Sequence, residues 1–488
     1  MFLFVLLSLN SCIDFRGAQN PNRYTPNTPH TVWNTAPKAR INEKSAIFDY
    51  SYLFKEESFS LGEAIDIALL NNPSTKETWA ASRVAAAQYG QSLQKDFVLA
   101  NLGADWERTR FSEFASSAAN RQIILESIYG MDLSLSYLVL DFGQTRYSSL
   151  AALQSLYNAN WTHNREIQTV IQQIMVDYYD YLLQKQLLVA AKADVDNAKL
   201  ALDAVLEKRR TGLADISDQM QATTSLLQQQ LNVVTQKQAL HYAYTKLMTD
   251  MGVPSKYQID FEGYPEKKFE VLLANLDQLI DEALHKRPDL IAAEANVFSK
   301  EAAFTAAKRQ RFPTLSSNFD IGRNYYHSQG TTITDDYNFT LAFSLNYPLF
   351  QGFFIKNTIR MAKANLEEAQ AFLEQVRLSV VEEVSNARED VVLADEAVKY
   401  AKAFLEASEE EFKISLEKYR VGTNTIVELM SALTSVADAR AKYAKSERDW
   451  YSSLANLRFA IGFLSISNAQ GNEFQTGEVH GPYTKRNK

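Results

Sequence analysis

One cysteine, Cys12, is all the chain has among its 488 residues. That excludes intrachain disulfides and every zinc site built from several thiolates. Glycine and proline are scarce, at 17 and 11 residues, and neither occurs in residues 145–210 or 353–419. Beyond the N-terminus no apolar run nears the ~20 residues of a membrane-spanning helix, which excludes a polytopic helical membrane protein. The net charge of −8 offers nucleic acid no electrostatic footprint. Six histidines are scattered at 30, 163, 241, 285, 327 and 480. There is no His-Glu-x-x-His pair and no Gly-rich loop ending in Lys-Ser or Lys-Thr. No catalytic, metal or cofactor-binding residue is expected, and an enzyme is the least favoured class.

What is present is a repeat. Leu61-Gly62-Glu63-Ala64-Ile65-Asp66-Ile67-Ala68-Leu69 returns as Leu276-Asp277-Gln278-Leu279-Ile280-Asp281-Glu282-Ala283-Leu284, an offset of 276 − 61 = 215. Arg210-Thr211-Gly212 returns as Arg420-Val421-Gly422, and Met251-Gly252 as Ile461-Gly462, each 210 residues on (422 − 212 and 462 − 252). One unit has been duplicated. Each copy reads as short helices, two strands, a very long helix and a long return helix. In each copy a proline, Pro73 or Pro288, splits the leading helices.

The strands are the unusual part. From Tyr337 to Phe350, apolar residues hold the odd positions (Tyr337, Phe339, Leu341, Phe343, Leu345, Tyr347, Leu349). Small or polar ones fill the even positions up to Asn346, and Pro348 follows. Period-2 alternation sustained this long exceeds the ~5–6 residues usual in soluble sheets. It fits a transmembrane barrel strand between lipid and water, with Tyr337, Tyr347 and Phe350 at the two interfaces. Asp132 to Asp141 alternates similarly, although Leu138 and Leu140 interrupt its polar face; about 97–110 and 314–326 alternate more weakly. The expected strands are about 97–110, 129–141, 313–327 and 337–350, joined by polar loops at about 111–128 and 327–336.

Helices are expected at about 145–210, 215–252, 353–419 and 425–462. At ~1.5 Å per residue the longer ones span roughly 100 Å. No globular core needs that length, so they must pack along one another as coiled coils. Four strands cannot close a barrel, and lipid tolerates no open edge. Closure must come from oligomerisation, and a trimer supplies 3 × 4 = 12 strands around a passage. The fold class is therefore α+β with internal duplication: a membrane-spanning β-barrel, four strands per protomer, continued by a long coiled-coil α-helical barrel.

The ends complete the organisation. Phe2 to Leu9 suits the apolar core of a secretion signal, and Leu9-Asn10-Ser11-Cys12 resembles a bacterial lipobox. Cys12 is the expected lipidation site, with acyl chains adding membrane anchorage. Residues 1–12 form the signal peptide and 13–58 an extended segment with Pro21, Pro26, Pro29 and Pro37. The first repeat covers 59–270, the second 271–465, and 466–488 is a polar tail.

His285-Lys286-Arg287-Pro288-Asp289-Leu290, Tyr347-Pro348-Leu349-Phe350-Gln351-Gly352 and Tyr419-Arg420-Val421-Gly422-Thr423, in this duplicated order, resemble one family. It is the TolC-like outer-membrane efflux channels, in their lipoprotein, OprM-like branch serving tripartite RND-type pumps. The resemblance runs from about Phe59 to Phe463. It implies a homotrimer in the outer membrane that reaches into the periplasm, with a periplasmic adaptor protein and an inner-membrane pump as partners. It also implies a periplasmic aperture at the helix turns capped by Gly212 and Gly422. Carried over by position, Tyr419 matches the gate tyrosine and Asp218 its acidic partner. Glu428 matches a carboxylate of the acidic ring, and Asp218 and Glu428 are 428 − 218 = 210 apart. Asn424 stands in place of an arginine, with Ser217 as that residue's partner, and Ser431 in place of a second ring carboxylate. The expectation is a cation-selective pore, loosely held shut, in which three Glu428 side chains raise one another's pKa.

Three functions stay open. The first is a passive efflux duct for drugs, toxic compounds or metal ions. The second is the outer-membrane duct of a type I protein secretion system. The third is a coiled-coil surface lipoprotein without a pore.

Overall fold

In the computed structural model, residues 18–33, 58–114, 121–257, 259–264, 275–328 and 334–464 are described, with backbone alone at 111–114, 121–124, 328 and 334–336. Cys12 and its signal segment, most of the extended segment and the C-terminal tail lie outside the described residues. The chain divides into two compact units. The first comprises Met1–Thr25, Ala81–Ala159 and Ala292–Leu373, the second Pro26–Ala80, Asn160–Ile291 and Glu374–Lys488. Twelve elements carry the description: α1 (Leu61–Asn71), α2 (Pro73–Ser92), β1 (Leu99–Phe114), β2 (Arg121–Leu140), α3 (Gln144–Arg210), α4 (Ile216–Asp250), α5 (Leu276–Lys286), α6 (Pro288–Arg309), β3 (Thr314–Ser328), β4 (Thr334–Asn346), α7 (Phe354–Val421) and α8 (Ile426–Ile461).

The first unit holds the sheet. Its order is β1-β2-β3-β4, antiparallel throughout, so among the described residues β1 and β4 are unpaired edges. The ladders run further than the alternation does. β1 continues to Phe114 and β2 starts at Arg121, so much of the stretch expected as loop is paired backbone, with Phe111 opposite Ile124. Ladder bonds come from main-chain groups and do not require an apolar face. At the other end β4 stops at Asn346, and Tyr347 and Phe350 lie beyond it. Pro348 has no N–H to give to a ladder. A register shift against β3 between Leu138 and Leu140 pairs Leu140 with Leu315 and so moves it to the apolar face; Leu138, opposite Ser316, keeps its polar-face position.

Parity and register sort the side chains. Leu102, Met131, Leu133, Ile321, Phe339, Leu341, Phe343 and Leu345 share one face and stand exposed, Phe339 at 76%. The opposite face is polar, with rows such as Asn101-Ser134-Asp320-Thr340 and Gly103-Asp132-Gly322-Asn338. Gly103 and Gly130 are open because Asp132 and Asp105 lie across them; a Cβ at either would collide with the carboxylate. A small core under the sheet unites Ala86, Tyr89 and Leu93 with Leu156.

The second unit is helical. Ser60 caps α1 and Glu63 closes a capping box. Its largest core gathers Ile65, Ile171, Ile174, Tyr178, Leu247, Met251 and Trp450, drawn from both repeats. Residues 26–33 are strapped onto it. Trp79 Nε1 donates to the Pro26 carbonyl (2.9 Å), Asn164 exchanges two hydrogen bonds with the Trp33 backbone (2.8 and 2.9 Å), and Trp33 meets Trp161 edge-on.

Candidate functional site

The helix turns at Gly212 and Gly422 are built alike. Gly212 N–H donates to the Arg209 carbonyl and Leu213 N–H to Lys208; Gly422 N–H donates to Tyr419 and Thr423 N–H to Lys418. These paired bonds are a Schellman motif, which needs a left-handed residue. The φ values are +76° and +87°. The return helices then restart from Asp215 and Thr425. Under the turns, Ala198, Ala201, Ala204, Val205 and Ala222 pack with Phe412, Leu416, Leu429 and Leu433. The alanines allow close helix approach.

The site residues fall into two groups here. Tyr419 is buried, 3% exposed, with Lys208 Nζ 4.3 Å from its ring centre. Among the described residues its hydroxyl has no hydrogen-bond partner. Burial first, and nearby Asp218 second, hold the phenol above its ordinary pKa. Tyr419 and Asp218 are thus brought together electrostatically, without a hydrogen bond. Asn424 does not reach Ser217; its Nδ2 donates to Ser415 Oγ at 2.8 Å, and Ser217 is exposed. Ser431 is also exposed.

Glu428 carries a job that the ring reading did not include. It is the third residue of α8, and its Oε2 accepts from Thr425 N–H (2.7 Å) and Thr425 Oγ1 (3.0 Å), while Glu428 N–H donates back to Thr425 Oγ1 (3.3 Å). Those hydrogen bonds hold the carboxyl below its ordinary pKa. Within one protomer the cap therefore opposes the upward shift expected from neighbouring copies. The Thr-x-x-Glu spacing of Thr425 and Glu428 was a sequence signal for this.

One tie between these helices, farther from the turns, has no short-range signature. Arg440 on α8 donates from Nη1 to Asp194 Oδ1 on α3 (2.7 Å) and from Nη2 to Glu409 Oε1 on α7 (3.1 Å). Asp194 is buried, and burial raises its pKa against the pull of Arg440.

The sheet supplies a second set. Asp105, Glu107, Glu126, Asp132 and Asp320 all take positions on the polar face, while Arg108, Arg323 and His327 take positions on the other. Among the described side chains the polar face carries carboxylates and no cation.

A polar face opposite an apolar one is the pattern of a membrane-spanning β-barrel strand. The model of the family described as "Outer membrane efflux protein" matches residues 64–253 and 279–463, once per repeat. The chain belongs to the outer membrane efflux protein family. Protein CyaE of Bordetella pertussis is 22% identical over 415 residues, 85% of this chain and 86% of that one. Outer membrane protein TolC of Escherichia coli K12 is 22% identical over 414 residues, 82% and 81% of the two chains. The Campylobacter jejuni CmeC outer membrane channel superposes with a TM-score of 0.74 at 18% identity, covering 91% of this chain and 97% of its own. As an efflux protein of this family, the chain is an outer-membrane duct that spans the membrane and reaches into the periplasm. The four-stranded sheet is its contribution to a β-barrel.

Proposed function

We infer that three copies of this chain join β1 to β4 and close a 12-stranded barrel (3 × 4) from four strands each. The pair of bare edges beside a lipid-suited face carries this reading, because hydrocarbon tolerates no unpaired ladder. The duct is passive: the sequence offers no Gly-rich loop ending in Lys-Ser or Lys-Thr to hold a nucleotide, so the energy comes from a partner. A periplasmic adaptor and an inner-membrane pump supply the energy and choose among small molecules, drugs, toxic compounds or metal ions. The duct favours cations, by the carboxylate wall of the sheet and by Glu428, Asp218 and Tyr419 at an aperture around the Gly212 and Gly422 turns. Asn424, Ser217 and Ser431 leave that aperture held by fewer charge-assisted bonds. Cys12 is acylated and anchors the N-terminus.

Planar-bilayer conductance of the detergent-extracted oligomer, with its mass, tests this. A trimer that passes cations over anions is expected, with selectivity reduced in Asp105→Asn/Asp132→Asn/Asp320→Asn and, separately, in Glu428→Gln. A monomer that conducts nothing would overturn the reading. Mass spectrometry of the mature N-terminus tests Cys12: two or more acyl chains are expected, and a bare thiol refutes the anchor.

A further inference from the structure

The lipid-suited face of the sheet changes character at the end away from the helices. Its apolar rows give way to an aromatic row, Trp106 on β1, Tyr129 on β2 and Tyr325 on β3, set side by side by the strand register. The next row outward is Arg108, Ser127 and His327, again direct neighbours across the three strands. Arg108 and His327 are exposed and Ser127 is half-buried. Just inside the aromatic row Arg323 lies 5.3 Å from the Tyr325 ring centre and 5.0 Å from that of Tyr337.

Two features distinguish this from scattered surface charge. Among the described side chains the sheet's carboxylates (Asp105, Glu107, Glu126, Asp132, Asp320) all lie on the opposite face; by register Asp335 of β4 stands beside Tyr325, one row inside the three donors. The donors also sit at strand spacing, about 4.8 Å apart, directly beyond the aromatic row. Tyrosine and tryptophan take the level of lipid headgroups. A guanidinium, a hydroxyl and an imidazole at that level match the oxygens of one phosphate. Cationic clusters at a membrane surface recognise anionic headgroups in this way.

We propose that Arg108, Ser127 and His327, resting on Trp106, Tyr129 and Tyr325, bind the phosphate of an anionic lipid in the outer leaflet, once per protomer. The proposal rests on the barrel reading above, which sets the strand end opposite the helices at the external surface. The bound lipid would cover the outer rim of the sheet and fix its height in the membrane.

The purified oligomer is titrated in detergent with lipid A, with dephosphorylated lipid A and with phosphatidylcholine, and bound lipid is counted by native mass spectrometry. The wild type should retain lipid A, up to one per protomer, and hold the dephosphorylated form and phosphatidylcholine about tenfold more weakly. Arg108→Gln/His327→Gln should lose that preference while its single-channel conductance stays at the wild-type value, which shows an intact barrel. Equal retention of phosphorylated and dephosphorylated lipid, or undiminished retention by the variant, overturns the proposal. A wild type that conducts nothing overturns the barrel reading instead.

Discussion

Asn72 and Arg287 do the same work in the two repeats. Asn72 Nδ2 donates to the Asp250 carbonyl at 2.8 Å, and Arg287 Nη1 donates to the Ala460 carbonyl at 3.1 Å. The donors are 287 − 72 = 215 apart and the acceptors 460 − 250 = 210, the offsets of the duplication itself. Each side chain stands at the break between two short helices and satisfies a carbonyl in the last turn of the return helix.

Arg287 has gained more partners than its counterpart. Its guanidinium is 2% exposed and also binds Asp289, at 2.6 Å, and Glu383, at 2.7 Å. Arg165 of the first repeat completes the group, 3.6 Å from Asp289 and donating to the Phe459 carbonyl at 3.1 Å. Arg287→Ala removes the centre of this network and leaves Asp289 with Arg165 and the Leu290 N–H. A loss of about 3 kcal/mol is expected, as for other broken buried pairs, read from the urea midpoint of the extracted oligomer. Glu383 is more exposed than Asp289, so Glu383→Gln should cost about 1 kcal/mol or less. Equal losses would mean that burial of the guanidinium is not what matters.

The turn glycines differ in what surrounds them. Gly212 and Gly252 both have positive φ, +76° and +70°. A Cβ at Gly212 meets nothing within 4 Å, whereas one at Gly252 comes 2.8 Å from the Asn71 backbone carbon. Gly212→Ala should therefore carry only the left-handed penalty, about 1 kcal/mol. Gly252→Ala must also move backbone, and about 3 kcal/mol is expected. Chemical denaturation of the two variants side by side checks this, and similar midpoints would show that α1 yields freely.

Arg440 tests whether the long helices are held to one another by charge. Arg440→Gln strands buried Asp194 and frees Glu409, so the aperture should open more readily and conductance should rise. Loss of stability alone could give leakage. Arg440→Gln/Asp194→Asn separates the two causes, because it removes the stranded charge without restoring the bond to Glu409. Stability should recover by about 2 kcal/mol while conductance stays high. Conductance that returns to the wild-type level would assign the effect to instability.

Much of this was legible where a residue's local pattern dictates its conformation. Gly212 and Gly422 advertised left-handed caps, Pro73 and Pro288 advertised breaks, and the alternation from Tyr337 to Leu345 advertised a two-faced strand. The ends of the strands were not legible, because the β1–β2 ladder is sustained by main-chain bonds through a polar sequence. Asp194 and Arg440 are separated by 246 residues, and nothing local marks them as partners. Glu428 shows a different limit. Its position relative to the turn suits a family ring carboxylate, yet its carboxyl is engaged by the hydroxyl and N–H of Thr425, three residues earlier. The carboxylate wall followed from parity alone once the pairing register was known, since Asp105, Asp132 and Asp320 join one face only through that register.

Acid should reveal two opposed groups. His163 is fully buried, with Thr78 Oγ1 2.9 Å from Nδ1. Burial lowers its pKa to about 4, partly offset by the Thr31 backbone. The unfolded chain, at the ordinary 6.5, takes up the proton first, so His163 loses stability for the fold as pH falls from 6.5 to 4. Asp250 behaves oppositely. Burial, then its hydrogen bond with Asp177, raises its pKa to about 6 from 3.8. The fold takes up that proton first, so stability is gained as pH falls from 6 to 3.8 and lost again as it rises. The two largely cancel in the wild type. Each variant should expose the survivor, with a slope of up to roughly 1.4 kcal/mol per pH unit for one proton, and less for partly exposed Asp250. His163→Gln should gain stability relative to wild type between pH 6.5 and 4, and Asp250→Asn should lose it between pH 6 and 4. Thermal midpoints at pH 4.5, 5.5 and 6.5, taken as differences from wild type, remove the background of other carboxylates. Parallel pH curves for all three proteins would show that neither group titrates differently in the folded state.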